Sequence, residues 1–236
     1  MRVALSLTLA LAAGAVSAQD FSFTPAPAQA DFASASQDIV AVMSYKALGP
    51  SEASGITGFS VGGYGSYSAV QNKGAWQRLV GEEVDGVGLV GLSARKGLPF
   101  GIDLGAMYSQ VPGTDAKIYG GEVRWAPLPG GVATPAVAIR GSYVKLTGED
   151  DLKGDASSLD VSISKGFLFF TPYAGAGYVW GTVNPSDRFT TLRKVDVDKA
   201  RFFAGARVSL GFLELTPEYE KLGDSDVFNL RLSIGF

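Results

Sequence analysis

The stretch FNLRLSIGF, Phe228–Phe236, alternates to its last position: Phe228, Leu230, Leu232, Ile234 and Phe236 take every second place, and Asn229, Arg231, Ser233 and Gly235 fill the gaps. Successive side chains of a β-strand point to opposite faces, so this segment reads as a strand with one apolar and one polar face. The same two-residue rhythm recurs upstream. Leu159, Val161 and Ile163 alternate with Ser158, Asp160 and Ser162, and Val137, Ile139 and Tyr143 with Ala138, Arg140 and Ser142. Tyr119, Gly121, Val123 and Trp125 interleave with Gly120, Glu122 and Arg124, and Ile102, Leu104, Ala106 and Tyr108 with Asp103, Gly105, Met107 and Ser109. From Gly55 onward the rhythm predicts about ten strands, near 56–70, 86–95, 100–110, 117–126, 135–147, 156–165, 170–182, 200–210, 213–221 and 226–236. Each is about as long as a tilted strand that crosses a bilayer. The first is glycine-rich and the ninth carries Pro217 and an acidic face, so the count falls to eight if those two fail.

The connections alternate in length. Lys96–Pro99, Gly166–Phe169 and Gly211-Phe212 are short, whereas Gln71–Asp85 and Asn184–Lys199 are long and polar. Val111–Ala116 is brief and Ala126–Thr134 is a longer Pro/Gly-rich turn, so two connections depart from the pattern. Short turns on one side and polar loops on the other are expected of a membrane barrel. Aromatic residues gather near the strand ends: Tyr67, Phe100, Tyr108, Trp125, Phe167, Phe169, Phe170, Tyr173, Trp180, Phe202, Phe212, Tyr219 and Phe228. Rings favour the bilayer interface, so these residues are expected to form two girdles. A secreted β-sandwich also alternates, but every backbone amide in hydrocarbon must be paired, and a closed sheet achieves that. Glycines such as Gly62, Gly91, Gly105, Gly175 and Gly177 weaken an open sheet and leave room inside a small barrel.

Composition narrows the chemistry. The 236 residues include 20 basic and 23 acidic side chains for a net charge of −3, with no Cys and no His. An electrostatic nucleic-acid binder shows a basic excess, so nucleic acid is not an expected partner. Thiolate zinc sites, disulfides and imidazole catalysis are excluded. The acid runs Glu82-Glu83 and Glu149-Asp150-Asp151 read as solvated loop charges that match no metal site, and Gly62-Gly63-Tyr64-Gly65 is not a phosphate loop because no helix follows it. No catalytic residue, metal or cofactor is expected.

Residues 1–18 read as a cleaved signal peptide: Arg2, an apolar run from Val3 to Val16, and the small residues Val16-Ser17-Ala18 before Gln19. Residues 19–54 form a separate N-terminal part. Phe21–Ala30 is a Pro/Ala-rich arm, and Phe32, Ala35, Ile39, Val42 and Met43 recur at helical spacing, predicting one short amphipathic helix over 32–48 that Gly49-Pro50 stops. Residues 55–236 form the barrel.

The export segment, the alternating body and a final strand LRLSIGF ending on Phe236 resemble Gram-negative outer-membrane β-barrels. The resemblance implies an all-β, antiparallel, up-and-down transmembrane barrel with a short N-terminal helix, located in the cell outer membrane. It implies contact with outer-membrane lipid, and recognition of Phe236, Ile234 and Leu232 by the barrel-assembly machinery. Enzymatic barrels of this class resemble one another in using a His near the bilayer edge, which this chain lacks. On the polar face, Glu122, Arg124, Arg140, Asp160, Arg207 and Arg231 are expected to form a paired network across the lumen, because buried charges must be paired. Two functions follow. One is a narrow channel for small solutes with these charges as selectivity elements. The other is a structural or interaction barrel with a closed lumen, supporting envelope integrity or presenting loops to partners. Residues 32–48 either enter the lumen as a plug or lie at its periplasmic rim.

Overall fold

The computed structural model describes residues 22–131 and 133–235. The export segment read at 1–18 and the terminal Phe236 lie outside the described residues. The alternating segments form ten antiparallel strands: β1 (Phe59–Ala69), β2 (Gly86–Gly97), β3 (Ile102–Gln110), β4 (Lys117–Pro129), β5 (Ala136–Thr147), β6 (Leu152–Ser164), β7 (Phe170–Pro185), β8 (Val195–Leu210), β9 (Leu213–Leu222) and β10 (Ser225–Gly235). Each pairs with its sequence neighbours, and β1 pairs with β10 to close the barrel. The two weakest segments therefore both form. Closure gives the glycine-rich β1 a partner on each side, and Pro217 of β9 points outward. The β4–β5 register shifts between Trp125 and Leu128, where Pro127 has no amide to donate. The β7–β8 hairpin extends further than expected, and only residues 186–194 connect its strands.

The apolar positions face out. Leu92, Leu104, Val123, Leu159, Val161, Ile163, Leu232 and Ile234 are exposed on the outer surface, while Asp103, Glu122, Arg124, Arg140, Asp160 and Arg231 are buried. In water this arrangement is inside out. In hydrocarbon it buries apolar surface and leaves no strand edge unpaired. Tyr67, Tyr108, Tyr119, Tyr143, Trp180 and Tyr219 ring the loop end of the outer surface, and Phe59, Phe100, Trp125, Phe167, Phe169, Phe170 and Phe212 ring the turn end. Tyr173 is a correction. It is buried, and its hydroxyl donates to Glu218 at 2.8 Å. It lies three residues from the outward Phe170, and strand alternation sends it inward.

Residues 22–58 run from the loop mouth through the lumen to the turn end. Phe23 lies among the loops: its amide donates to Asp151 at 2.5 Å, and its ring lies 5.4 Å from Phe189. The amide of Thr24 donates to the Leu79 carbonyl at 2.8 Å. Helix α1 (Gln29–Met43) follows, packed against β5 to β8, β1 and β10, and Ala41 to Ser51 are buried without a break. Further down, Leu48 N donates to Glu218, Ser51 N to Ser164 and Ser54 N to Asp103, before β1 begins at the turn end. The chain thus enters at the loop mouth and runs the length of the barrel. Of the two expected positions, this is the plug.

Two helical readings are corrected. The helix expected over 32–48 ends at Met43, because Ser44 is extended (φ −54°, ψ 147°) and its hydroxyl takes the Ala41 carbonyl. Lys46 Nζ donates to the same carbonyl at 2.9 Å. The long 71–85 loop contains a second helix, α2 (Lys73–Val80). Its start is held from outside: the Asp38 carboxylate on α1 accepts from the amides of Gln71 and Asn72 and from Trp76 Nε1, each at 3.1 Å. Gly81, at φ 86°, ends it. Trp76 and Leu79 are buried under this contact.

The plug is fitted closely to the wall. A Cβ on Gly181 would stand 2.5 Å from a Val40 methyl. Gly181→Leu is expected to cost about 1–3 kcal/mol by overpacking. The check is a lower temperature for the folded-to-unfolded band shift on an unboiled gel.

Candidate functional site

The inward face of the sheet carries a ladder of alternating charge. Arg95 Nε lies 2.8 Å from Glu122, whose second oxygen is 3.8 Å from Arg140 Nε. Arg140 Nη2 is 2.8 Å from Asp160, which also meets Arg201 Nη1 at 3.3 Å. Arg201 Nε reaches Glu220 at 3.1 Å. Six residues on β2, β4, β5, β6, β8 and β9 thus alternate in sign around the wall. Small neighbours make the room. A Cβ on Gly105 would strike Glu122 Cγ at 2.6 Å, and one on Gly177 would strike Asp160 Oδ1 at 2.3 Å. The Phe203 ring lies over Gly175, and the guanidiniums of Arg140 and Arg201 each stand 5.3 Å from its centroid.

Glu122, Arg140 and Asp160, expected as network members, belong to this ladder. Arg124 lies apart, pairing with Asp103 directly across β3–β4 and donating to the carbonyls of Pro50 and Glu52. Arg207 meets Glu52 at 2.8 Å and Glu214 at 3.5 Å. Among the described residues Arg231 meets no carboxylate; its guanidinium donates to the hydroxyls of Ser93 and Ser60, each at 2.8 Å. Leu232 and Ile234, expected in the assembly signal, lie on the outward face of β10.

The sequence reading missed Arg95, Arg201, Glu218 and Glu220. Parity carried a signal for all four: Glu218 and Glu220 are out of step with the outward Pro217 and Tyr219. Arg95 is out of step with the outward Val90 and Leu92, and Arg201 is in step with Arg207. Glu218 is satisfied by neutral donors: Leu48 N, Tyr173 Oη and Asn229 Nδ2.

Wall and plug share these charges. Arg95, Arg124 and Arg201 donate to the carbonyls of Ala47, Pro50 and Tyr45 respectively. A carbonyl satisfies a guanidinium donor without needing a second charge, so the non-helical segment 45–52 completes the hydrogen bonding of the wall arginines. At the loop mouth Arg78 grips Asp31 through both carboxylate oxygens, and this guanidinium holds the Asp31 carboxyl below its usual pKa. Among the described residues no group of three or more acids is placed to hold a metal ion.

No protein-family model and no curated protein matches the chain. Among solved structures it is similar to Ail, the attachment invasion locus protein of Yersinia pestis, at 13% identity over 76% of this chain and 97% of that one, with a TM-score of 0.33. It is similar to the KdgM porin at 10% identity, 75% and 99% coverage and a TM-score of 0.39. It is also similar to Omp33 of Acinetobacter baumannii at 8% identity, 75% and 97% coverage and a TM-score of 0.32.

Proposed function

We propose that the chain is an integral outer-membrane barrel whose lumen is closed by its own N-terminal segment, and that its working surface is the loop-side mouth. The observation that carries this reading is the unbroken burial of residues 41–51 inside the wall, hydrogen-bonded to it at several heights. A filled lumen offers no water path for solutes. Its stability instead holds the loops, α2 and residues 22–31 in one arrangement at the mouth, as an interaction or structural barrel requires. The short turns then face the periplasm and the loops face the exterior.

A second reading, a narrow channel opened when the plug withdraws, is favoured by the bonds between wall arginines and plug carbonyls, which water or a solute can replace. The experiment for the main reading exploits the threading. Phe23 and Thr24 lie among the loops, so an epitope inserted at residue 20 is expected to bind antibody on intact cells. Labelling only after the outer membrane is permeabilised contradicts it.

A further inference from the structure

Arg231 is 4% exposed, and its bonded partners are two serine hydroxyls. Among the described residues, Arg95, Arg124, Arg140, Arg201 and Arg207 each pair with a carboxylate, whereas Arg231 pairs with none. A hydroxyl accepts a hydrogen bond but supplies no countercharge, and guanidinium does not escape by losing its proton near neutral pH. An unpaired buried cation is costly, so an arginine left in this state points to a counter-ion supplied from outside. The space for one is adjacent. A polar cavity of about 300 Å³ lies at the turn-side end of the lumen, between the wall and plug residues 48–54, and Arg231 lines it with Arg95, Arg124 and Arg207. Two carboxylates, Glu52 and Glu214, also line it, and Arg207 engages both. The lining is therefore richer in cations than in anions.

We propose that this vestibule is a binding site for a small oxyanion, a free phosphate or carboxylate, held by Arg231 with Arg95 beside it. A planar guanidinium presents paired donors that match two oxygens of such an anion, which a spherical halide cannot use in the same way. The anion enters from the turn side, and plug residues 48–54 form one wall of the site.

The test uses the full-length protein in detergent, with inorganic phosphate and acetate as probes and chloride at equal ionic strength as the reference. Phosphate is expected to raise the unfolding temperature with a saturable dependence, and chloride is not. In Arg231→Gln the half-saturating phosphate concentration is expected to rise about ten-fold or more, while Lys117→Gln, outside the vestibule, keeps the wild-type response. An unchanged response in Arg231→Gln means an adventitious ion only and overturns the proposal. If that variant does not fold, calorimetric titration of the wild-type protein decides: saturable heat from phosphate or acetate supports the site, and its absence with both overturns it. A response to acetate but not phosphate keeps the site and narrows its ligand to carboxylates.

Discussion

Deletion of residues 19–48 is expected to turn a closed barrel into a conducting one. The intact protein should show no steady conductance in planar bilayers, because α1 and Tyr45–Leu48 are buried across the lumen. The deletion removes the Tyr45 and Ala47 carbonyls from Arg201 and Arg95, and the Leu48 amide from Glu218. Water replaces those partners at little cost, since each group is strongly hydrated. The wall survives because β1 to β10 pair with one another and not with α1. A ten-stranded wall encloses a lumen slightly wider than its own side chains fill, so the expected pore is narrow. Steady conductance in the intact chain defeats the plugged reading. A deletion variant that folds yet stays closed shows that the wall side chains alone seal the lumen.

The second large effect is expected at Asp160. One carboxylate serves two guanidiniums, Arg140 and Arg201, and all three are buried. Asp160→Ala leaves two positive charges facing each other beside Phe203. Removing one partner of a buried ion pair typically costs about 3–5 kcal/mol, because the survivor stays desolvated. Replacing Arg201 by Met in the same chain should not recover the loss, since Arg201 is also the cation of the buried Glu220 and the second substitution leaves that carboxylate without it. Urea unfolding from lipid vesicles, followed by tryptophan fluorescence, measures both. A loss below about 1 kcal/mol means that water screens the ladder, as it screens surface pairs, and that the lumen is wet.

The fold was legible because one local rule, the two-residue period, decides which side of every strand meets hydrocarbon. It located Ile139 and Leu232 outside and Arg140 and Arg231 inside. Some of the site was legible for the same reason. Arg140 stands directly opposite Asp160, and Asp103 opposite Arg124, on adjacent strands, where hairpin pairing alone brings them together. Arg201 and Asp160 lie on β8 and β6, and Arg95 and Glu122 on β2 and β4. Those contacts cross an intervening strand through the lumen, so they depend on curvature and closure, which no local pattern states. The same holds for α2. Its sequence has no side-chain cap at Asn72, and the cap comes from Asp38 on another helix. The direction of the plug is likewise a property of the closed wall. Helical periodicity marked Phe32, Ile39 and Val42 as buried, but not which mouth the chain enters.

The outward face of the barrel touches lipid, and the three tryptophans test this most directly. Trp125 and Trp180 are 49% and 47% exposed on the outer surface, and Trp76 is 4% exposed beneath the loop-side helix. The protein should be reconstituted in vesicles whose acyl chains carry bromine, using variants that keep one tryptophan each. Bromine is expected to quench Trp125 and Trp180 strongly and Trp76 hardly at all. Strong quenching of Trp125 and Trp180 by aqueous acrylamide, with none from the brominated chains, would contradict a membrane-spanning barrel.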